Sequence, residues 1–120
     1  MARRELARGD VLVVRFPIHQ PLGREQEGRR PAVLVGLPWE PVRYPVALVV
    51  PLTTQPGGWA ARNPHLYPQL PSGAGGLTVD SIALLDQIRS LDVTRIDKFL
   101  GSLPDQHRET VLTGLRRLLA

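Results

Sequence analysis

The stretch PAVLVGLPWEPVRYPVALVVPL, residues 31–52, holds two apolar runs, AVLVG at 32–36 and VALVVPL at 46–52, separated by a loop with prolines at 38, 41 and 45. Each run is short, rich in valine and bounded by turn-forming residues, which predicts strands rather than helices. VALVVPL is apolar throughout, the pattern of a central strand buried on both faces. Pro31 reads as the first residue of its strand, where a missing N–H leaves the ladder intact. Outward from this pair, DVLVVRF at 10–16 is a further strand stopped by Pro17, and residues 17–30 form a polar loop. HLYPQL at 65–70 is broken by Pro68 and fits an edge strand; PSGAGG at 71–76 is a turn, since no helix and no Lys-Ser/Thr pair follows to make it a phosphate loop. SIALLDQIRSLDV, residues 81–93, is expected to be one strand, and TRIDKFLGSL a helical turn with a short strand. In the tail, Ser102 and Asp105 have the spacing of a capping box, and Val111, Leu112, Leu115, Leu118 and Leu119 share one helical face. Five or six short strands with one terminal helix predict a compact, partly closed β-barrel.

At 120 residues the chain fits a single domain, 1–120. No apolar run approaches the ~20 residues that span a bilayer, so no membrane is expected. The opening MARRELARGDVLVV has only Val11–Val14 as an apolar core, bordered by Asp10, which makes a poor export signal; the location expected is cytoplasmic. The absence of cysteine excludes disulfides, thiolate catalysis and thiolate metal sites. His19, His65 and His107 are scattered without ligand spacing, so no metal and no cofactor are expected. The formal charge of +4 suits a polyanionic partner. Of the fifteen basic residues only Lys98 is lysine, a bias that genomic base composition explains equally well.

Ahead of the strand at 32–36 stands GREQEGRRP, residues 23–31, a loop that delivers charged groups to the lip of a sheet. Together with RGDVLVVRFP, VVPLTTQ and SIALLDQIRSLD, it resembles the MazF/PemK toxin endoribonucleases. These start with Gly-Asp and an apolar strand, continue with a Gly-Ser-Glu-Gln-x-Gly-x-Arg-Pro loop, carry a strand ending in threonine, and have a Ser-Val-x-Leu-x-Asp/Glu-Gln segment. The resemblance covers nearly the whole chain in the same order. It implies a small SH3-like barrel of the CcdB–PemK type, with about five to seven short strands and a C-terminal helix. It further implies a homodimer that cuts single-stranded RNA at short sequences without a metal and is held inactive by a cognate antitoxin protein.

Carried over, the resemblance makes Arg30 and Thr53 catalytic, and matches Glu25 and Gln26 to the loop's glutamate and glutamine; the family's loop serine is Arg24 here. RNA cleavage without a metal uses the substrate's 2′-hydroxyl as nucleophile. Arg30 offers planar donors to phosphate oxygens, and Thr53 a further hydrogen bond. With a pKa above ~12, arginine is a poor base, so Arg30 is assigned the clamp and a possible proton donation. Glu25 is the candidate base or, alternatively, the residue that orients Arg30. Arg24 and Arg29 are candidates for phosphate contacts, and Gln26, Thr54, Gln55, Asp86 and Gln87 for base edges. Trp39, Trp59 and Tyr67 are weighed as stacking surfaces, against a core or interface role for the tryptophans. The alternatives are a toxin of the same fold that poisons DNA gyrase, for which an exposed apolar-aromatic C-terminus is required whereas this chain ends in GLRRLLA with its leucines on one helical face, and a module that binds RNA or antitoxin without cutting.

Overall fold

The computed structural model describes residues 5–18, 23, 26–55 and 57–120. Among them, seven strands form one antiparallel sheet: β1 (Asp10–Phe16), β2 (Gly28–Gly36), β3 (Val46–Thr53), β4 (Gln69–Leu70), β5 (Ser81–Ala83), β6 (Arg89–Asp92) and β7 (Ile96–Ser102). A four-residue helix α1 (Gly58–Ala61) follows β3, and α2 (Asp105–Leu119) closes the chain. The strand order is β4-β5-β3-β2-β1-β7, with β6 also on β3, and the sheet curls into a half-barrel.

β1 apart from Arg15, β2 from Ala32 to Val35, and β3 apart from Val46 and Leu48 are buried on both faces, which is why their sequences read as apolar runs. Leu12, Val14 and Phe16 pack with Ala32, Leu34, Ala47, Val49 and Leu91 on one face. By strict alternation Val11, Val33, Val35, Val50 and Leu52 turn to the other, where Val111, Leu112 and Leu115 of α2 cover them.

Several expectations from the sequence are corrected. β2 begins at Gly28, so Arg29 and Arg30 belong to the strand and Pro31 is its fourth residue, opposite Val13. Pairing of β2 with β3 starts only at Ala32, so Pro31 precedes the two-sided part of the strand and its missing N–H is tolerated there. Residues 81–93 are not one strand. A 3-10 turn at Leu85–Gln87 separates β5, paired with Leu52 and Thr53, from β6, paired with Val46–Val49. The break lets Leu85 bury itself completely beneath α2, which an extended segment along β3 would not allow.

Ser102 does not cap α2. It is the last residue of β7, its hydroxyl donates to Asp10 Oδ1 at 2.8 Å, and the helix starts behind Pro104 without a side-chain cap. Of the five apolar residues on the predicted helical face, Val111, Leu112 and Leu115 are buried, but Leu118 is 41% and Leu119 71% exposed in the last turn of the helix. Gly114 marks the closest approach: a Cβ there would stand 2.4 Å from Leu85 Cδ1 and 2.6 Å from the His65 carbonyl oxygen. The GAGG turn has a packing role, with Gly76 at φ +78° and its Cα so near the Leu100 carbonyl that no side chain fits.

Candidate active site

The β2–β3 hairpin opens toward the polar loop, and its register decides what meets there. Ala32 lies opposite Pro51 and Val33 opposite Val50; beyond Ala32 and Pro51 the two strands part, β2 running on beside β1 and β3 passing to β5, so that Arg30 and Thr53 each stand two residues past the last β2–β3 pair. Both side chains leave the sheet on the face of Ala32 and Val49, by alternation along each strand.

Arg30 is only partly exposed, and its Nε donates to the Glu27 carbonyl at 2.8 Å. That bond fixes the guanidinium plane and leaves both terminal nitrogens without a protein partner among the described residues. Thr53, 7% exposed, accepts the Gln55 N–H at 3.2 Å, which leaves its hydroxyl proton to donate.

Beside Thr53 opens a cleft of about 570 Å³ lined by Gln26, Gln55, Trp59, Tyr67, Leu84, Asp86 and Gln87. It gathers four segments distant in sequence. The loop before β2 brings Gln26, and the end of β3 with α1 brings Gln55 and Trp59. Tyr67 precedes β4, and the 3-10 turn brings Asp86 and Gln87. Trp59 meets Tyr67 edge to face at 4.9 Å, which makes one aromatic wall. The Tyr67 hydroxyl donates to Asp86 Oδ2 at 2.7 Å. That hydrogen bond, then partial burial and the carboxylate's charge, raise the Tyr67 pKa above the usual tyrosine value. Gln87 Oε1 accepts the backbone N–H of Gln26 at 2.8 Å, tying the loop to the turn. Gln26 Oε1 is buried and makes no hydrogen bond.

Of the residues singled out from sequence, Gln26, Thr53, Gln55, Trp59, Tyr67, Asp86 and Gln87 come together in this cleft, and Arg30 stands on β2 two residues before its first pair with β3. Thr54 turns away to a neighbouring cleft with Gln69, Asp80 and Ser81. Arg29 points to the opposite face of β2, where its Nε and that of Arg15 share the Asp97 carboxylate at 3.1 and 2.9 Å. Arg24, Glu25 and His19 lie outside the described residues. Trp39 is 89% exposed at the far end of the hairpin, away from Arg30. The bond between Tyr67 and Asp86, and the place of Leu84, were not foreseen; no local pattern announces a contact across nineteen positions. Helix α1 was also missed, because four residues behind two glycines give no periodicity to read.

Residues 7–119 match the family of PemK-like, MazF-like toxins of type II toxin–antitoxin systems. The chain belongs to this family. Among solved structures, MazF from Deinococcus radiodurans in its first crystal form superposes with a TM-score of 0.72 at 25% identity, covering 98% of each chain. A MazE–MazF complex from the same organism gives 0.63 at 25% identity over 92% of each chain. A third crystal form, again of MazE–MazF, gives 0.61 at 23% identity over 94% of each and shares the fold. No curated protein matches the chain. The MazF-like fold accounts for the curled sheet and the C-terminal helix, as the resemblance implied. Among the described residues no helix is long and apolar enough to cross a membrane.

Proposed function

We propose that this PemK/MazF-family chain is an endoribonuclease that cuts single-stranded RNA, messenger RNA included, at short sequences without a metal. The observation that carries the reading is that Arg30 and Thr53 stand two residues past the last β2–β3 pair on the same face of the sheet, Arg30 with both terminal nitrogens unpartnered among the described residues and Thr53 on a cleft of nucleotide dimensions. In the reaction, the ribose 2′-oxygen attacks phosphorus as its proton passes to a base, for which Glu25 is the candidate. The P–O5′ bond breaks, and the departing oxygen takes a proton from Arg30 or solvent. The products are a 2′,3′-cyclic phosphate and a 5′-hydroxyl. Arg30 supports the charge that grows on the phosphorane oxygens; a preorganised donor of this kind contributes about 2.7–4 kcal/mol. Thr53 adds a second donor.

Thr54 and Arg29 take no part at the scissile phosphate in this reading; Arg29, on the outer face, and Arg24 are left for flanking phosphates. The protein works in the cytoplasm as a single-domain protomer of a homodimer, neutralised by a cognate antitoxin. The last point leans on the family and on the MazE–MazF complexes of D. radiodurans.

The test is incubation of the protein with long unstructured RNA in EDTA beside an Arg30→Ala variant. Recurrent short cut sites with cyclic-phosphate ends, lost in the variant, support the proposal. Intact RNA with folded protein refutes it. Intact RNA in this assay is the result that the alternative, a toxin of the same fold acting through protein contact such as gyrase poisoning, requires; Leu118 and Leu119 are exposed, but the tail carries no aromatic residue.

A further inference from the structure

The cleft beside Thr53 presents acceptors with capacity to spare. Asp86 uses one carboxylate oxygen for Tyr67 and has no second hydrogen bond among the described residues. Gln26 Oε1, on the same cleft, is buried and unpaired. Tyr67 spends its only proton on Asp86, so toward the cleft its oxygen is an acceptor too. The exposed Asp86 carboxylate accepts and does not donate, and Gln26 Oε1 is a buried acceptor, costly to leave unpaired, so both suit a ligand that brings N–H groups. The aromatic wall of Trp59 and Tyr67 asks for a flat partner; Trp59 is 36% exposed and therefore accessible.

Unpaired bases differ on this count. Guanine, adenine and cytosine each carry an exocyclic amino group, and guanine adds an adjacent ring N–H that matches one carboxylate with two donors. Uracil has a single ring N–H between two carbonyls, which a carboxylate repels. We propose that this cleft is a subsite for one unstacked, amino-bearing base, guanine above all, with Asp86 as the acceptor that rejects uracil and Trp59 as the stacking surface. Tyr67 is a positioning residue that aims Asp86. The assignment rests on the reading of the chain as an RNA-cutting toxin for its ligand class, and on the cleft alone for its selectivity.

The experiment uses the full chain carrying Arg30→Ala, so that RNA is bound without being cut. Fluorescence anisotropy is measured with uridine oligomers that hold a single central G, A, C or U. The expected result is binding tighter by on the order of tenfold for the amino-bearing bases than for all-uridine, with G first. Adding Asp86→Asn, which keeps the shape but offers a donor, abolishes the preference. Adding Trp59→Ala weakens all four oligomers alike. Equal binding of the four, or a preference that survives Asp86→Asn in protein with unchanged circular dichroism, overturns the proposal. If the unsubstituted protein leaves long unstructured RNA intact while the Asp86-dependent preference persists, the nuclease reading fails and the base subsite stands. If no RNA binds, both fall.

Discussion

Gln87 occupies an ambiguous place: it lines the cleft as a base-reading residue would, yet its carbonyl oxygen is committed to the Gln26 N–H at 2.8 Å. That bond joins the 3-10 turn to the loop immediately before Arg30. Gln87→Leu leaves a partly buried N–H unpaired, a loss of about 1–3 kcal/mol in the ordered loop. If the loop must be ordered for Arg30 to meet the phosphate, kcat/KM falls by roughly 5- to 150-fold, at about 1.4 kcal/mol per decade. Gln87→Glu keeps an acceptor oxygen at the same reach and loses only the amide donors. It therefore restores most of the activity and leaves the cut sequence unchanged, whereas a base-reading amide would not be replaced by a carboxylate. The assay is cleavage of a labelled RNA with mapping of cut sites, at raised salt to screen the added charge. Hydrogen exchange of the Gln26 amide, protected in the parent and in Gln87→Glu but fast in Gln87→Leu, reads the same bond without RNA. A Gln87→Glu protein as impaired as Gln87→Leu, or one that cuts at new sequences, refutes the assignment of Gln87 to loop positioning.

Gly114→Ala should destabilise the fold by about 1–3 kcal/mol, because the new methyl meets Leu85 and the His65 carbonyl, and the helix propensity gained offsets that only in part; a lowered denaturation midpoint with unaltered cut sites checks it. Arg30→Ala should lower cleavage by about 10²- to 10³-fold, and Arg29→Ala far less, since Arg29 faces away and its exposed pair with Asp97 adds about 0.2–1 kcal/mol at most; kcat/KM and unfolding of the two variants measured side by side decide this. Tyr67, raised above its ordinary value of about 10 chiefly by its bond to Asp86, should titrate higher in the parent than in Asp86→Asn, followed by tyrosinate absorbance. Its folded-state pKa exceeds the unfolded one, so the stability it adds is present in full below about 10 and is lost as pH rises through the folded value.

The unbroken apolar runs at 10–16, 32–36 and 46–52 determined that β1, β2 and β3 are strands, because a strand buried on two faces has no polar positions to interrupt it. The motif around Arg30 and the hydroxyl at the end of β3 were legible for the same reason: they sit directly on those strands. Fine boundaries were not legible. Whether Arg29 and Arg30 are loop or strand depends on pairing with β1, and whether 81–93 runs straight depends on Leu85 finding space under α2; neither is a local property. The fates of the two arginines show the division most plainly. As neighbours in a charged loop they read as equivalent, but inclusion in a pleated strand sends consecutive side chains to opposite faces, Arg29 to Asp97 and Arg30 to the side of Thr53. The tail leucines read as one packing face, but in the fold only Val111, Leu112 and Leu115 meet the core, and Leu118 and Leu119 stay largely in solvent. Sequence thus determined the strands, the family motif and the candidate chemistry, which local pattern encodes. The cleft of Gln26, Trp59, Tyr67, Asp86 and Gln87 was decided by tertiary structure alone, because it is assembled from segments that only the curl of the sheet brings together.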